Sequence, residues 1–181
     1  MREPKSLFPI ARYLSREDAE ALARRVLGFA KGEETRVSIA SGTRGNTRFA
    51  VNQISTAGDN FNTSVTIRSS FGKRSASVTT NALDDASLKA AVETSERLAR
   101  LSPEDPEAMP ELGQQTYQSG EGWSEPTASL DPTARAAAVR TITEPSRTSG
   151  LEATGYIESN GGSFAVANNK GLFAYGRQTA A

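Results

Sequence analysis

Between positions 19 and 30 the apolar residues Ala19, Leu22, Ala23, Val26, Leu27 and Ala30 recur at three- and four-residue steps. That spacing lays one apolar stripe along a helix, so the first predicted element is helical. Ser15 stands where an N-cap belongs, Glu17 and Asp18 fill the first turn, and Gly32 is a plausible stop. The small alanines on the stripe predict close packing against a sheet.

The period then falls to two. Arg36-Val37-Ser38-Ile39-Ala40 alternates polar and apolar, and residues 48–54, 63–69 and 74–80 supply three more strand-like runs. In the run 48–54, alternation sends Phe49 and Val51 to the core and Arg48 and Asn52 to the wet face. Gly42, Gly45, Gly58 and Phe71-Gly72-Lys73 read as the breaks between strands. Short strands joined by turns predict an antiparallel meander with one solvated face.

A second helical stripe follows Asp84-Asp85, with Leu88, Ala91, Val92, Ser95, Leu98 and Ala99 as its buried face. Ser102-Pro103-Glu104-Asp105-Pro106 ends it, because proline cannot continue a helix. Residues 102–130 are rich in Pro, Gly, Ser and acids and read as a linker or a surface-hugging connection. Trp123 and Tyr117 either pin that connection to the domain or meet a partner. A third helix starts at Asp131-Pro132, runs through Ala134, Ala138, Val139 and Ile142, and ends near Pro145. Strand candidates at 152–158, 163–167 and 172–176 follow, separated by Asn160-Gly161-Gly162 and Asn168-Asn169-Lys170-Gly171, both read as hairpin turns.

The fold class expected is α+β: helices packed on mainly antiparallel meander sheets, with the helix-plus-meander unit occurring twice, at 15–80 and 131–177. The organisation expected is an N-terminal domain over 1–101, a connection over 102–130, and the start of a second, truncated unit over 131–181.

Composition then limits the chemistry. The 181 residues include no histidine and no cysteine. Disulfides, thiolate nucleophiles and Ser-His or Cys-His catalysis are excluded, and so are most zinc sites. The acidic run Glu104, Asp105, Glu107 and Glu111 lies in a proline-broken stretch and reads as a solvated linker, not a carboxylate metal site. Lys and Arg total 21, as do Asp and Glu, giving zero net charge. No strong pull on nucleic acid or on an anionic membrane follows, and Arg24-Arg25 and Lys73-Arg74 are offset by acids. No apolar run approaches the ~20 residues of a membrane span. Met1 to Ser6 is polar and no apolar signal core follows it, so a cytoplasmic location is expected. The glycine turns lack the Gly-x-x-x-x-Gly-Lys-Ser/Thr pattern of a phosphate loop. No catalytic, cofactor or metal residue is assigned; Arg48 and Asn52 are the candidate peptide or partner surface.

The order of segments carries a resemblance. After the first helix come Thr35-Arg36-Val37-Ser38-Ile39, Thr47-Arg48-Phe49-Ala50-Val51-Asn52-Gln53-Ile54 and Ser64-Val65-Thr66-Ile67-Arg68. Lys73-Arg74-Ser75-Ala76-Ser77-Val78-Thr79-Thr80-Asn81, an amphipathic helix and Pro103-Glu104-Asp105-Pro106 follow. Near the end stands Ala165-Val166-Ala167-Asn168-Asn169-Lys170-Gly171-Leu172-Phe173-Ala174-Tyr175. Together these resemble the N-terminal portion of the TldD/PmbA family, called modulators of DNA gyrase and taken to be zinc-dependent peptidases. The resemblance implies proteolysis of unfolded or leader peptides, homo- or heterodimers around a shared cavity, and zinc in the active type of parent. It also implies that the His-Glu-x-x-x-His signature of that type lies after the region resembled, so this chain is expected to be a fragment or a natural truncation. Some family members lack metal ligands and pair with an active partner. The rival expectation is a non-enzymatic peptide-binding or assembly subunit without metal.

Overall fold

A computed structural model describes residues 13–118, 120 and 122–181; the polar stretch 1–6 lies outside them. Helix α1 (Arg16–Phe29) starts where Ser15 accepts a hydrogen bond from the Asp18 amide at 3.0 Å. Helix α2 (Asp85–Leu101) starts at Asp84, which accepts from the Ser87 amide at 2.9 Å. Helix α4 (Pro132–Thr148) is capped by Asp131, which accepts from the Ala134 amide at 2.7 Å. A short helix, α3 (Glu125–Ala128), precedes it. Five strands complete the chain: β1 (Glu34–Ala50), β2 (Gln53–Phe71), β3 (Arg74–Thr80), β4 (Gly155–Asn168) and β5 (Phe173–Ala180).

The strands form one sheet in the order β3-β2-β1-β4-β5, with every neighbouring pair antiparallel. The α+β class with antiparallel strands is therefore the observed one. β1 is central and pairs over nearly its whole length with both β2 and β4. Helices lie on one face. Ala19, Leu22, Ala23 and Val26 of α1, with Leu88, Ala91 and Val92 of α2, cover Val37, Ile39, Val65, Ile67, Ala165 and Ala167 of the sheet. Each of the larger side chains among these contributes about 1.5–3 kcal/mol by leaving water.

Several expectations are corrected. Residues 48–54 are not a strand; they straddle the β1–β2 hairpin. Val51 and Asn52 form its two-residue turn with φ of +50° and +60°. Such a turn matches the twist of the flanking strands but needs left-handed backbone at both positions, which asparagine accepts more readily than a β-branched residue. Val51 is 57% exposed and not in the core. A bulge between Arg48 and Phe49 breaks the alternation that the sequence was expected to follow.

Gly42, Gly45, Gly58 and the triplet Asn160-Gly161-Gly162 are strand interiors, not turns. A Cβ on Gly42 would lie 2.9 Å from Gly162 Cα, so β1 and β4 approach too closely there for side chains. The expected strands 152–158 and 163–167 are thus one strand. Helix α4 continues past Pro145. Its last turn is held by tertiary contact, as Arg147 donates to the Asn52 carbonyl at 2.9 Å. Leu98, expected on the buried face of α2, is exposed. Glu96 is buried instead and accepts from the Lys31 and Gly32 amides at 2.5 and 2.9 Å, closing the end of α1.

The connection after α2 runs along the sheet. Asp105 donates its amide to the Lys73 carbonyl at 3.0 Å, and the Leu112 carbonyl accepts from Asn168 Nδ2 at 2.8 Å. Further on, Gln114 accepts from the Phe173 amide at 3.0 Å, and the Gly122 carbonyl accepts from the Thr179 amide at 2.8 Å. Trp123 packs edge-on against Tyr13, ring centroids 5.0 Å apart, with the Arg177 guanidinium over its ring.

Candidate functional site

The hairpin tip holds the two residues that the sequence singled out. Arg48 sits on β1 opposite Thr56 and Tyr156 and is exposed on the helix-free face. Asn52 is engaged in the fold. Its Nδ2 donates to the Leu151 carbonyl at 2.7 Å, its Oδ1 accepts from the Ala153 amide at 2.9 Å, and its own amide donates to the Ala153 carbonyl at 3.1 Å. These bonds tie the tip to the segment between α4 and β4.

The helix-free face carries small and polar side chains. Across its middle runs a row set by register: Asn62 on β2, Gly42 on β1, Gly162 on β4 and Gln178 on β5. The facing glycines leave a hollow of about 350 Å³, bordered by Arg44, Asn60, Asn160 and Phe164. Arg44 Nη2 lies 2.6 Å from Glu158 Oε2, and this hydrogen bond raises the arginine pKa above its usual value. The Phe164 ring lies against Gly176, where a Cβ would collide with it. Among the described residues no hydrogen bond uses the side chain of Asn60, Asn62, Asn160 or Gln178, whereas Asn52, Asn168 and Asn169 are all bonded to backbone. A second hollow, about 470 Å³, lies where the connection crosses Arg36, Arg68 and Val166; Arg36 pairs with Glu111 there at 3.5 Å. The face is a shallow wall with unused amides, on which Arg36 and Arg44 are paired with Glu111 and Glu158.

The opposite face, under α4, holds a group that sequence reasoning missed. Arg135 is 1% exposed. Its guanidinium donates to the Leu130 carbonyl at 2.8 Å, to Ser159 Oγ at 3.2 Å, to Thr47 Oγ1 at 3.4 Å and to the Asp59 carboxylate. It lies across Gly45, where any Cβ would overlap it. The available signal was that Arg135, Val139 and Thr143 share one helical stripe. A strand glycine opposite that stripe is legible only once register is known.

The sequence has no His or Cys, and no group of three Asp or Glu among the described residues converges to hold an ion. The residues present do not fit a zinc site.

Residues 35–99 match the family model for PmbA/TldA metallopeptidase domain 1. The match places residues 35–99 in the TldD/PmbA family, as its first domain. Solved structures share the fold over a wider span. TldE from Thermococcus kodakarensis superposes with a TM-score of 0.73 at 16% identity, covering 89% of this chain and 37% of its own. A protein described as a modulator of DNA gyrase from Thermotoga maritima gives 0.74 at 15%, covering 89% and 37%. One so described from Bacteroides thetaiotaomicron gives 0.78 at 13%, covering 91% and 39%. This chain thus spans 37–39% of the length of those structures. No curated protein sequence matches it. No described helix is long and apolar enough to cross a membrane.

Proposed function

We propose that this TldD/PmbA chain is the non-catalytic front part of a zinc-dependent peptidase system acting on unfolded or leader peptides in the cytoplasm. The observation that carries the reading is the match of its first-domain segment to a metallopeptidase family model, in a chain with no histidine or cysteine to ligate zinc. In this reading the helix-free sheet face is a cavity wall. Its small side chains, glycine row and free amides suit an extended polypeptide, since amides serve both N–H and C=O groups without regard to side chain. Arg48 stands on that wall at the hairpin, and a second family subunit closes the cavity. Hydrolysis then belongs to residues outside this sequence.

The test uses the purified chain with unfolded and leader-like fluorescent peptides. Expected are peptide binding by anisotropy, no stoichiometric zinc by elemental analysis and no cleavage. Binding weakened by Asn62→Leu with Gln178→Leu, in a protein that still melts cooperatively, supports the wall. Tight zinc with cleavage overturns the non-catalytic role, and absence of peptide binding overturns the wall.

A further inference from the structure

The two long edges of the sheet are treated differently. Along β5, the connection supplies partners: Gln114 to the Phe173 amide and Gly122 to the Thr179 amide, with Thr179 Oγ1 accepting from Ser124. Along β2, the neighbour β3 pairs only with residues 65–71. Residues 53–64 form the rest of that edge, and the first ten of them, 53–62, are all exposed.

An exposed strand edge is a template for another strand, and proteins usually blunt it with lysine, proline or a covering segment. The stretch Gln53-Ile54-Ser55-Thr56-Ala57-Gly58-Asp59-Asn60-Phe61-Asn62 has no lysine, arginine or proline. Its one charge, Asp59, is turned under α4 onto Arg135. Ile54 and Phe61 are 44% and 45% exposed.

We infer that residues 53–62 pair antiparallel with the same strand of a second copy of this chain. Identical strands related by a two-fold axis match in length and twist, and the contact closes on itself. With the axis normal to the sheet, residues of one side meet residues of the same side. The two sheets become one, and both helix layers stay on one face. An axis through Gly58 sets Thr56 opposite Asn60 in both directions. No charge opposes itself across such a seam, because Asp59 faces Ala57 of the other copy and is paired with Arg135 in its own. The inference deepens the two-subunit part of the proposed function and rests on it for its biological use, though the edge alone supports the geometry.

The test is charge pairing across the seam. The doubly substituted Thr56→Lys, Asn60→Lys protein sets like charges face to face, and Thr56→Glu, Asn60→Glu does the same with opposite sign. Both sites are exposed, but each faces an arginine of its own β1, Arg48 and Arg44, so cooperative melting by circular dichroism is required of each variant before its dimerisation is compared. Like charges directly opposite weaken a strand pair, so each variant alone is expected to dimerise at least about tenfold more weakly than the unsubstituted chain by light scattering and sedimentation. Mixing the two is expected to restore a heterodimer. Amides of 53–62 are expected to gain exchange protection with protein concentration in the unsubstituted chain only. A dimer indifferent to these charges overturns the edge assignment while leaving a two-subunit reading intact. A monomer with unprotected 53–62 amides at every concentration overturns both. Protection that appears only on adding unfolded peptide gives the edge to that ligand and overturns self-pairing.

Discussion

The helix-side face of this sheet is built in two ways. Beneath α1 and α2 the strands present Val37, Ile39, Val65, Ile67, Ala165 and Ala167. Beneath α4 the same strands present Gly45, Thr47, Asp59 and Ser159, gathered round one buried guanidinium. The first half gains stability in proportion to apolar area and tolerates error gradually. The second gains little from area and depends on every partner being present, since a buried charge stripped of its counter-ion is costly. β1 therefore serves one end as a hydrophobic floor and the other as a polar socket. The difference identifies the α4 end as the part of the fold most sensitive to single polar changes.

The largest break of this comparison is expected in the apolar half. Leu88→Ala empties a fully buried site and should cost about 3 kcal/mol in urea unfolding. A loss under about 1 kcal/mol would mean that α2 contributes little to the sheet's cover. In the polar half, Asp59→Ala should cost about 2 kcal/mol. That is less than the about 3–5 kcal/mol of a fully enclosed pair, because Asp59 keeps contact with water. The double replacement Asp59→Leu with Arg135→Met should recover most of that loss, as apolar substitutes for both partners usually do. Equal losses in single and double variants would show that the charge itself is not the issue.

Gly45→Ala sharpens the same point. The added methyl overlaps the guanidinium, and about 1–2 kcal/mol is expected. In an Arg135→Ala background the cost should vanish, and a persistent cost would place the strain in the strand backbone. The smallest effect concerns acid. Asp84 has its pKa lowered, first by the Ser87 amide and then by the Ser87 hydroxyl. A carboxylate more acidic in the folded state stabilises above its unfolded value, about 4, and that contribution fades as pH falls through the folded value. Thermal midpoints of wild type and Asp84→Asn should therefore converge on the acid side. A gap that widens there would contradict the cap's role.

The first and second helices, their caps and the proline-marked start of α4 were legible because each depends on neighbours within a few residues. Ser15 and Asp131 cap where the sequence put them, and the second helix starts at the Asp84-Asp85 pair that marked it, with Asp84 as its cap. Strand limits were not. Gly42 and Gly162 look like turn residues in one dimension, yet each excludes a side chain only because the other lies opposite it on a neighbouring strand. Val51-Asn52 looks like strand, yet it turns because bonds from Leu151, Ala153 and Arg147 hold it. Of the two candidate surface residues, Arg48 is exposed on the helix-free face and Asn52 is bonded to the backbone nearby. The amide-lined row was invisible, since Asn62, Gly42, Gly162 and Gln178 are far apart in sequence.

By itself the sequence determined the α+β class, the first two long helices, the start of the third and the lack of zinc-binding histidine and cysteine. Those properties follow from local periodicity, capping and composition. Only the tertiary structure decided that β4 pairs with β1, that Arg135 has a socket over Gly45, and that residues 53–62 are left as an open edge. Each of these depends on register between distant strands, and antiparallel register follows from where apolar faces and turns meet in space, which no local pattern encodes.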